Sequence, residues 1–210
     1  SHFSSFDPDF RITINEGKSF LPNHEKIQKI RSLPDVAFFT EVIEENALLR
    51  NNDRQVIGTV KGVGPDFEKM TGIDTMMTDG QFKLKDDIYD FAVMGQNLAY
   101  FLSIGLQDPN PVNIYVPQKG RSSSLTPEGN FNRMQILPSG FFSIQQELDS
   151  RYLIVPLDFA RVLYDMPEKV NAIEIQLKKG VQHNKIQKNI QTILGDEFTV
   201  KNRYQQHDEK

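Results

Sequence analysis

One short pattern occurs near each end of this chain, and it constrains the fold more than anything between. Phe10-Arg11-Ile12-Thr13-Ile14 alternates apolar and polar residues and is followed by Gly17. Ile173-Glu174-Ile175-Gln176-Leu177 repeats the alternation and is followed by Gly180. Alternation with period two marks a strand with one buried face. An amphipathic helical stretch comes after each: Ile27, Ile30 and Leu33 in the first, Ile186, Ile190, Ile193 and Leu194 in the second. A further strand follows each helix, from Val36 to Ile43 and from Phe198 to Val200. Two such β-α-β units, one per terminus, predict a domain built from both ends of the chain, with a second domain inserted in its middle. That arrangement brings the two chain ends together.

The middle predicts a mixed lobe. Gln55 to Val63 is β-rich, and Arg50-Asn51-Asn52-Asp53 before it is a hairpin turn. Asp66 to Met70 predicts a short helix, and Met76, Met77, Asp79 and Gly80 predict a loop. Tyr89 to Met94 predicts a strand that leads into a helix packing Leu98, Phe101 and Leu102. Asp108-Pro109-Asn110-Pro111 breaks the chain. Strands are expected at Val112 to Val116, Ile136 to Ile144 and Tyr152 to Val155, with a helix from Pro156 through Tyr164. Pro167 marks the exit from the insert. Gly195 is a helix stop, and the polar tail from Gln205 is expected to fray. The fold class that follows is α+β in two subdomains: residues 1–74 and 165–210 form the base, and residues 75–164 form the inserted lobe.

Composition narrows the function classes. The chain has 210 residues, 38% hydrophobic and 25% charged, enough to bury a core. A net charge of −4 offers no general attraction to nucleic acid. The absence of cysteine removes disulfides and thiolate metal sites. No apolar run approaches the ~20 residues that a membrane helix needs, and no signal peptide is expected.

The familiar catalytic patterns are missing. Gly17-Lys18-Ser19 resembles the end of a phosphate loop, but Ile12 stands where the first glycine belongs, inside a strand. Gly62-Val63-Gly64 follows a strand, yet Phe67 replaces the third glycine of a dinucleotide turn. His2, His24, His183 and His207 have no metal-ligand spacing and read as solvated surface residues. Glu44-Glu45 and Asp86-Asp87 are adjacent acids that point different ways on a strand. No serine sits in a nucleophile elbow. No catalytic residue, cofactor site or metal site is predicted.

The unusual element is the segment from Pro117 to Met134, which lacks periodicity over a length uncommon in a compact domain. It reads either as a partner-binding hairpin, with Leu125, Phe131 and Met134 as exposed anchors beside Arg121 and Arg133, or as a disordered tip with Phe131 and Met134 tucked into the core. Aromatic, Met and Arg side chains are the types enriched in protein contacts. As a hairpin with about seven residues per arm, it would reach roughly 23 Å.

With these residues assembled, the chain resembles the periplasmic core domain of MacB-like ABC transporter permeases, nearest the lipoprotein-releasing LolC/LolE branch. The resemblance rests on ordered segments along the whole chain. Phe6-Asp7-Pro8-Asp9-Phe10-Arg11-Ile12 is similar to the stretch leaving the first membrane helix. Lys61-Gly62-Val63-Gly64-Pro65 is similar to a family turn in which an acidic residue stands where this chain has Gly64. Gly140-Phe141-Phe142-Ser143, Glu147-Leu148-Asp149-Ser150-Arg151-Tyr152, Val170-Asn171-Ala172-Ile173-Glu174-Ile175 and Asn202-Arg203-Tyr204-Gln205-Gln206 follow in family order.

The resemblance implies a Porter-like base and a Sabre-like insert, roughly Thr75 to Tyr164. It also implies a Hook-like hairpin at about 117–134 that captures a periplasmic lipoprotein carrier. Arg121, Leu125, Pro127, Phe131, Arg133 and Met134 are its candidate contacts. It implies no chemistry in this domain and no cofactor. ATP hydrolysis would fall to a separate cytoplasmic ATPase reached through membrane helices, beside a second permease subunit, and the domain would lie in the periplasm of a bacterial inner-membrane protein. The alternatives are a MacB-type domain that joins an adaptor or regulates cell-wall hydrolases, and a freestanding enzyme or ligand-binding domain with a deep polar pocket.

Overall fold

The computed structural model describes residues 6–107, 109–118 and 130–207. In chain order the first elements are β1 (Phe10–Ile14), α1 (Glu25–Arg31), β2 (Val36–Asn51), β3 (Arg54–Val63), α2 (Phe67–Thr71), β4 (Met77–Gly80), β5 (Phe91–Gly95), α3 (Gln96–Phe101) and β6 (Val112–Pro117). After them come β7 (Phe131–Phe142), α4 (Gln146–Asp149), β8 (Tyr152–Pro156), α5 (Leu157–Leu163), β9 (Ala172–Leu177), α6 (His183–Leu194), β10 (Phe198–Asn202) and α7 (Arg203–His207). Contacts divide the chain into two units. The described residues of the first lie within Ser1–Val42, Gly64–Thr71 and Glu168–Lys210. Those of the second lie within Ile43–Val63 and Gly72–Pro167.

In the first unit the strands run β10-β1-β9-β2, each antiparallel to its neighbour. Ile12 of β1 faces Val200 of β10 on one side and Ile173 of β9 on the other. Each terminal β-α-β unit is therefore split by a strand of the other: β9 separates β1 from β2, and β1 separates β9 from β10. Helices α1 and α6 touch each other and so share a face of this sheet. They bury Ile27, Ile30, Ile190 and Leu194 on the side that carries Phe10, Ile12, Ile175 and Val200. Helix α1 is capped by the His24 ring, which accepts from the Lys26 N–H at 3.1 Å, and has Glu25 in its first turn and Arg31 in its last. Helix α6 ends at Gly195, whose φ of 70° suits a residue without Cβ.

The opposite face of the sheet is covered too, which the alternating pattern does not reveal. Glu174 has a side chain only 4% exposed, and Arg11, its cross-strand neighbour, donates to it. Thr40 pairs with Glu174 from the other side, and its hydroxyl donates to Met70 Sδ at 2.8 Å. Phe67 of α2 meets Phe6 edge-on at 5.6 Å.

The tail does not fray over its described residues. It forms α7, tied to the N-terminal segment by charge. Asp9, also 4% exposed at its side chain, accepts from the Leu177 N–H at 2.8 Å and pairs with Arg203 at 3.2 Å. His207 Nε2 lies 3.0 Å from Asp7, and Gln206 donates to the Pro8 carbonyl at 3.3 Å. Of the described histidines, His183 is exposed as expected, with its ring edge-on to Phe10 at 6.0 Å, whereas His24 and His207 are half-buried and take the structural roles above. His2 lies outside the described residues.

In the second unit the hairpin turn falls at Asn52, with φ 55°, between β2 and β3. From there β3 runs parallel to β8, β8 antiparallel to β5, β5 parallel to β7, β7 antiparallel to β6, and β6 antiparallel to the end of β2. The pairings thus close a circuit around buried Leu49, Val60, Met94, Ile114 and Leu153. Residues 43–63, expected in the base, belong to this unit because both strands of the hairpin are paired within the circuit. Met76 to Gly80, expected as a loop, form the end of a 3-10 turn followed by β4, which pairs with β7. The backbones approach closely there because Gly140 has no side chain: a Cβ would sit 2.4 Å from the Gln81 carbonyl oxygen. Gly62 has a packing role, since a Cβ there would lie 2.4 Å from Cβ of Ala160 in α5. Phe101, expected to pack with Leu98 and Leu102, is exposed at the end of α3.

A polar cluster is buried between β2, β3 and β8. Lys61, 3% exposed, lies 3.6 Å from Glu44, and the Tyr152 hydroxyl donates to Glu44 at 3.1 Å. At the end of α5 the Tyr164 hydroxyl donates to the Glu45 carbonyl at 3.0 Å. Burial pushes this phenol far above its ordinary pKa, and the charges of Glu45 and Glu44 add to the effect.

Two outcomes follow from these buried groups. Asp9→Ala removes the acceptor for Leu177 and the partner of Arg203, and should lower unfolding free energy by about 2–4 kcal/mol in denaturant titration. Asp9→Asn retains an acceptor for Leu177 and should cost less. Tyr164 stays neutral when folded but ionises when unfolded near pH ~10, so its stabilising effect is complete below that pH and is lost as pH rises beyond it. The fall in denaturation midpoint between about pH 9 and about pH 11 should therefore be smaller in Tyr164→Phe than in the parent protein.

Candidate functional site

The candidate site is built on β6 and β7. Their register runs from Val112 opposite Ile136 to Pro117 opposite Phe131, and the Gln118 N–H extends it by donating to the Asn130 carbonyl at 3.1 Å. The hairpin expected between Pro117 and Met134 thus has arms that are already sheet at its root. Strand β7 begins at Phe131, earlier than the apolar pattern from Ile136 indicates, because β6 offers a paired backbone as far as Pro117 opposite Phe131. Arg121, Leu125 and Pro127 lie outside the described residues.

Strand geometry sorts the other candidates onto two faces. Val112, Ile114, Val116 and Ile136 point inward and are buried. Met134 pairs with Ile114 on this inward side and is half-buried, so it does not share the outer face with Phe131 and Arg133. Beside it, Asn132 donates to the Leu163 carbonyl at the end of α5 at 3.2 Å.

The outer face carries Asn113, Tyr115 and Pro117 from β6, and Phe131, Arg133 and Gln135 from β7. Phe131 meets Tyr115 edge-on at 5.3 Å and 71°. The Arg133 guanidinium stands 5.8 Å from the Tyr115 ring centroid, within cation–π range. Asn113 Oδ1 accepts from Arg133 at 2.9 Å and from Gln135 at 2.7 Å. The Asn113 amide in turn donates to the Arg50 carbonyl at 3.4 Å. Asn113 therefore holds Arg133 in place, and Tyr115 supports both Phe131 and Arg133. Sequence reading missed Tyr115 and Asn113, although the alternation Val112-Asn113-Ile114-Tyr115-Val116 marked them as one outward face.

A groove of about 590 Å³ opens beside the root of the hairpin, lined by Gln118, Phe131, Arg133, Met134, Val162 and Asp165 among others. The outer face bears the positive charges of Arg133 and the neighbouring Arg50, and none of its six ladder residues is acidic. Aromatic rings and an oriented guanidinium suit protein recognition. Among the described residues, no group of three or more His, Asp or Glu side chains could hold a metal ion.

No family profile and no curated protein matches this chain. Solved structures do share its fold. The periplasmic region of MacB from Actinobacillus actinomycetemcomitans aligns at a TM-score of 0.65, over 98% of this chain and 94% of that chain, at 12% sequence identity. The extracellular domain of the noncanonical ABC-type transporter YknZ from Gram-positive bacteria aligns at a TM-score of 0.58, over 92% of this chain and 99% of that one, at 11% identity. Identities this low establish likeness of fold. The mixed α/β architecture of this chain is that of extracytoplasmic domains of ABC transporters, and among its described residues no helix is long and apolar enough to cross a membrane.

Proposed function

We propose that this chain is the periplasmic domain of an ABC transporter permease subunit that serves lipoprotein release from the inner membrane. The observation that carries this reading is a likeness to transporter domains over nearly the whole chain, combined with chain ends tied into one sheet. In this reading the first unit is the Porter-like base and the second is the Sabre-like lobe. Membrane helices attach at the two ends, where Asp7 meets His207 and Asp9 meets Arg203. Ends clamped in this way shift together, so helix motion enters the base as a rigid displacement. ATP is hydrolysed on a separate cytoplasmic ATPase, a second permease subunit completes the transporter, and this domain performs no chemistry.

The β6–β7 hairpin is the docking element for the lipoprotein carrier. Its support is the pre-set ladder of Tyr115, Phe131 and Arg133, whose ordering cost is met before a partner arrives. Arg121, Leu125 and Pro127, outside the described residues, are further candidate contacts, and Met134 lines the groove beside Phe131.

Retention of the purified carrier on immobilised domain provides the test. Replacing residues 119–129 by a short Gly-Ser turn, or Phe131 by Ala, should weaken retention by roughly tenfold or more while the circular dichroism spectrum is unchanged. Equal retention by the parent domain and the tip-replaced domain would refute the docking role.

A further inference from the structure

The segment between β4 and β5 displays an apolar pair that the hairpin reading does not use. Ile88 is 80% exposed and Tyr89 is 62% exposed. Single apolar residues on a surface are ordinary. Here two successive ones are held at the apex of a fixed turn. Asp86 Oδ1 accepts from the backbone N–H of Ile88 at 2.8 Å and of Tyr89 at 2.6 Å, and the Asp86 N–H donates to the Tyr89 carbonyl at 3.0 Å. The Tyr89 and Ile88 amides, with help from the Lys83 charge, hold the Asp86 carboxyl below its ordinary pKa.

The base of the turn is fastened as well. The Phe91 N–H donates to the Leu84 carbonyl at 2.7 Å, and the Ser139 hydroxyl of β7 donates to the Lys83 carbonyl at 2.6 Å. Lys85 lies 3.7 Å from Asp90 and 3.3 Å from Asp158 of α5. The Lys83 ammonium stands 5.0 Å from the Phe91 ring centroid, and Tyr89 meets that ring edge-on at 6.5 Å. A turn secured in this way has little conformational freedom left to lose on binding, so burial of its two apolar side chains passes more directly into affinity.

The charge around the apex selects the partner. Asp86 and Asp87 precede the pair directly, whereas Lys85 is engaged by two carboxylates. Carboxylates beside the apolar pair oppose insertion into an anionic lipid surface. They complement lysine or arginine at the rim of a protein pocket. The geometry points to the Ile88–Tyr89 turn as a second protein-docking element of this unit, separate from the hairpin. It fits a partner protein that presents an apolar pocket rimmed by Lys and Arg.

A photo-crosslinking amino acid placed at position 88 of the intact protein, in its own cells, tests this. The expected result is a crosslink mapped by mass spectrometry to a protein site of apolar residues flanked by Lys or Arg. Its yield should fall by roughly tenfold in Tyr89→Ser and in the Asp86→Asn, Asp87→Asn double variant, and should persist when residues 119–129 are replaced. Loss of the crosslink only on hairpin replacement would overturn the independence of this element. So would a yield no higher than from exposed position 52, or an acceptor that is lipid or an acidic surface. Unchanged denaturation midpoints in the variants exclude unfolding as the cause of lost yield.

Discussion

The first unit depends on β1 being held between two strands from the far end of the chain. The Arg11–Glu174 contact joins residues 163 positions apart. Closing a loop of that length costs on the order of 4–5 kcal/mol beyond a constant term. Phe10, Ile12, Ile173 and Ile175 are completely buried at this seam, and each contributes about 1.5–3 kcal/mol on transfer from water, so three of them already offset the closure. Neither terminal β-α-β unit can complete the sheet alone, because each is missing the strand that the other supplies. That interlocking, reinforced by the carboxylates of Asp7 and Asp9, keeps the beginning and end of the chain in one body.

The second unit solves a different problem. Its strands close a circuit, which leaves few backbone groups of the ring unpaired. The hairpin of β6 and β7 grows out of that circuit, so its inward residues are anchored by the core while its outward residues are free to meet a partner. The same alternation that buries Ile114 and Val116 turns Tyr115 outward. The docking surface proposed for this lobe thus lies on the second face of strands whose first face is structural.

Much of the first unit was legible as pattern. The two alternating segments, the helical spacing of Ile186, Ile190 and Leu194, and the stop at Gly195 correspond to β1, β9, α6 and its end. The pairing of Ile12 with Ile173 follows from two half-units that each lack a complete sheet. Other readings failed where a second face or a distant partner decides the outcome. Glu174 reads as a solvent-facing polar residue because nothing local signals that α2 and Arg11 cover it. The tail after Asn202 reads as frayed because its ion-pair partners lie at the other end of the chain. Phe101 reads as core from helical spacing, yet the buried face of α3 runs through Leu98, Ala99 and Leu102 and leaves it outside.

For the candidate site, residue types alone marked the region from Pro117 to Met134, but Phe131 and Met134 read together as exposed anchors, and only the strand register put Phe131 and Arg133 on one side and Met134 on the other. The orientation of Arg133 by Asn113 and Tyr115 required the strand register, which depends on pairing across the hairpin rather than on either strand by itself. The sequence by itself determined the elements and their two-faced character, because hydrophobic periodicity is a local property of a few consecutive residues. Only the tertiary structure decided which strands become neighbours, which polar groups are buried with partners, and which apolar residues stay exposed. Those outcomes depend on long-range burial and charge pairing between segments whose separation along the chain carries no signal of their proximity.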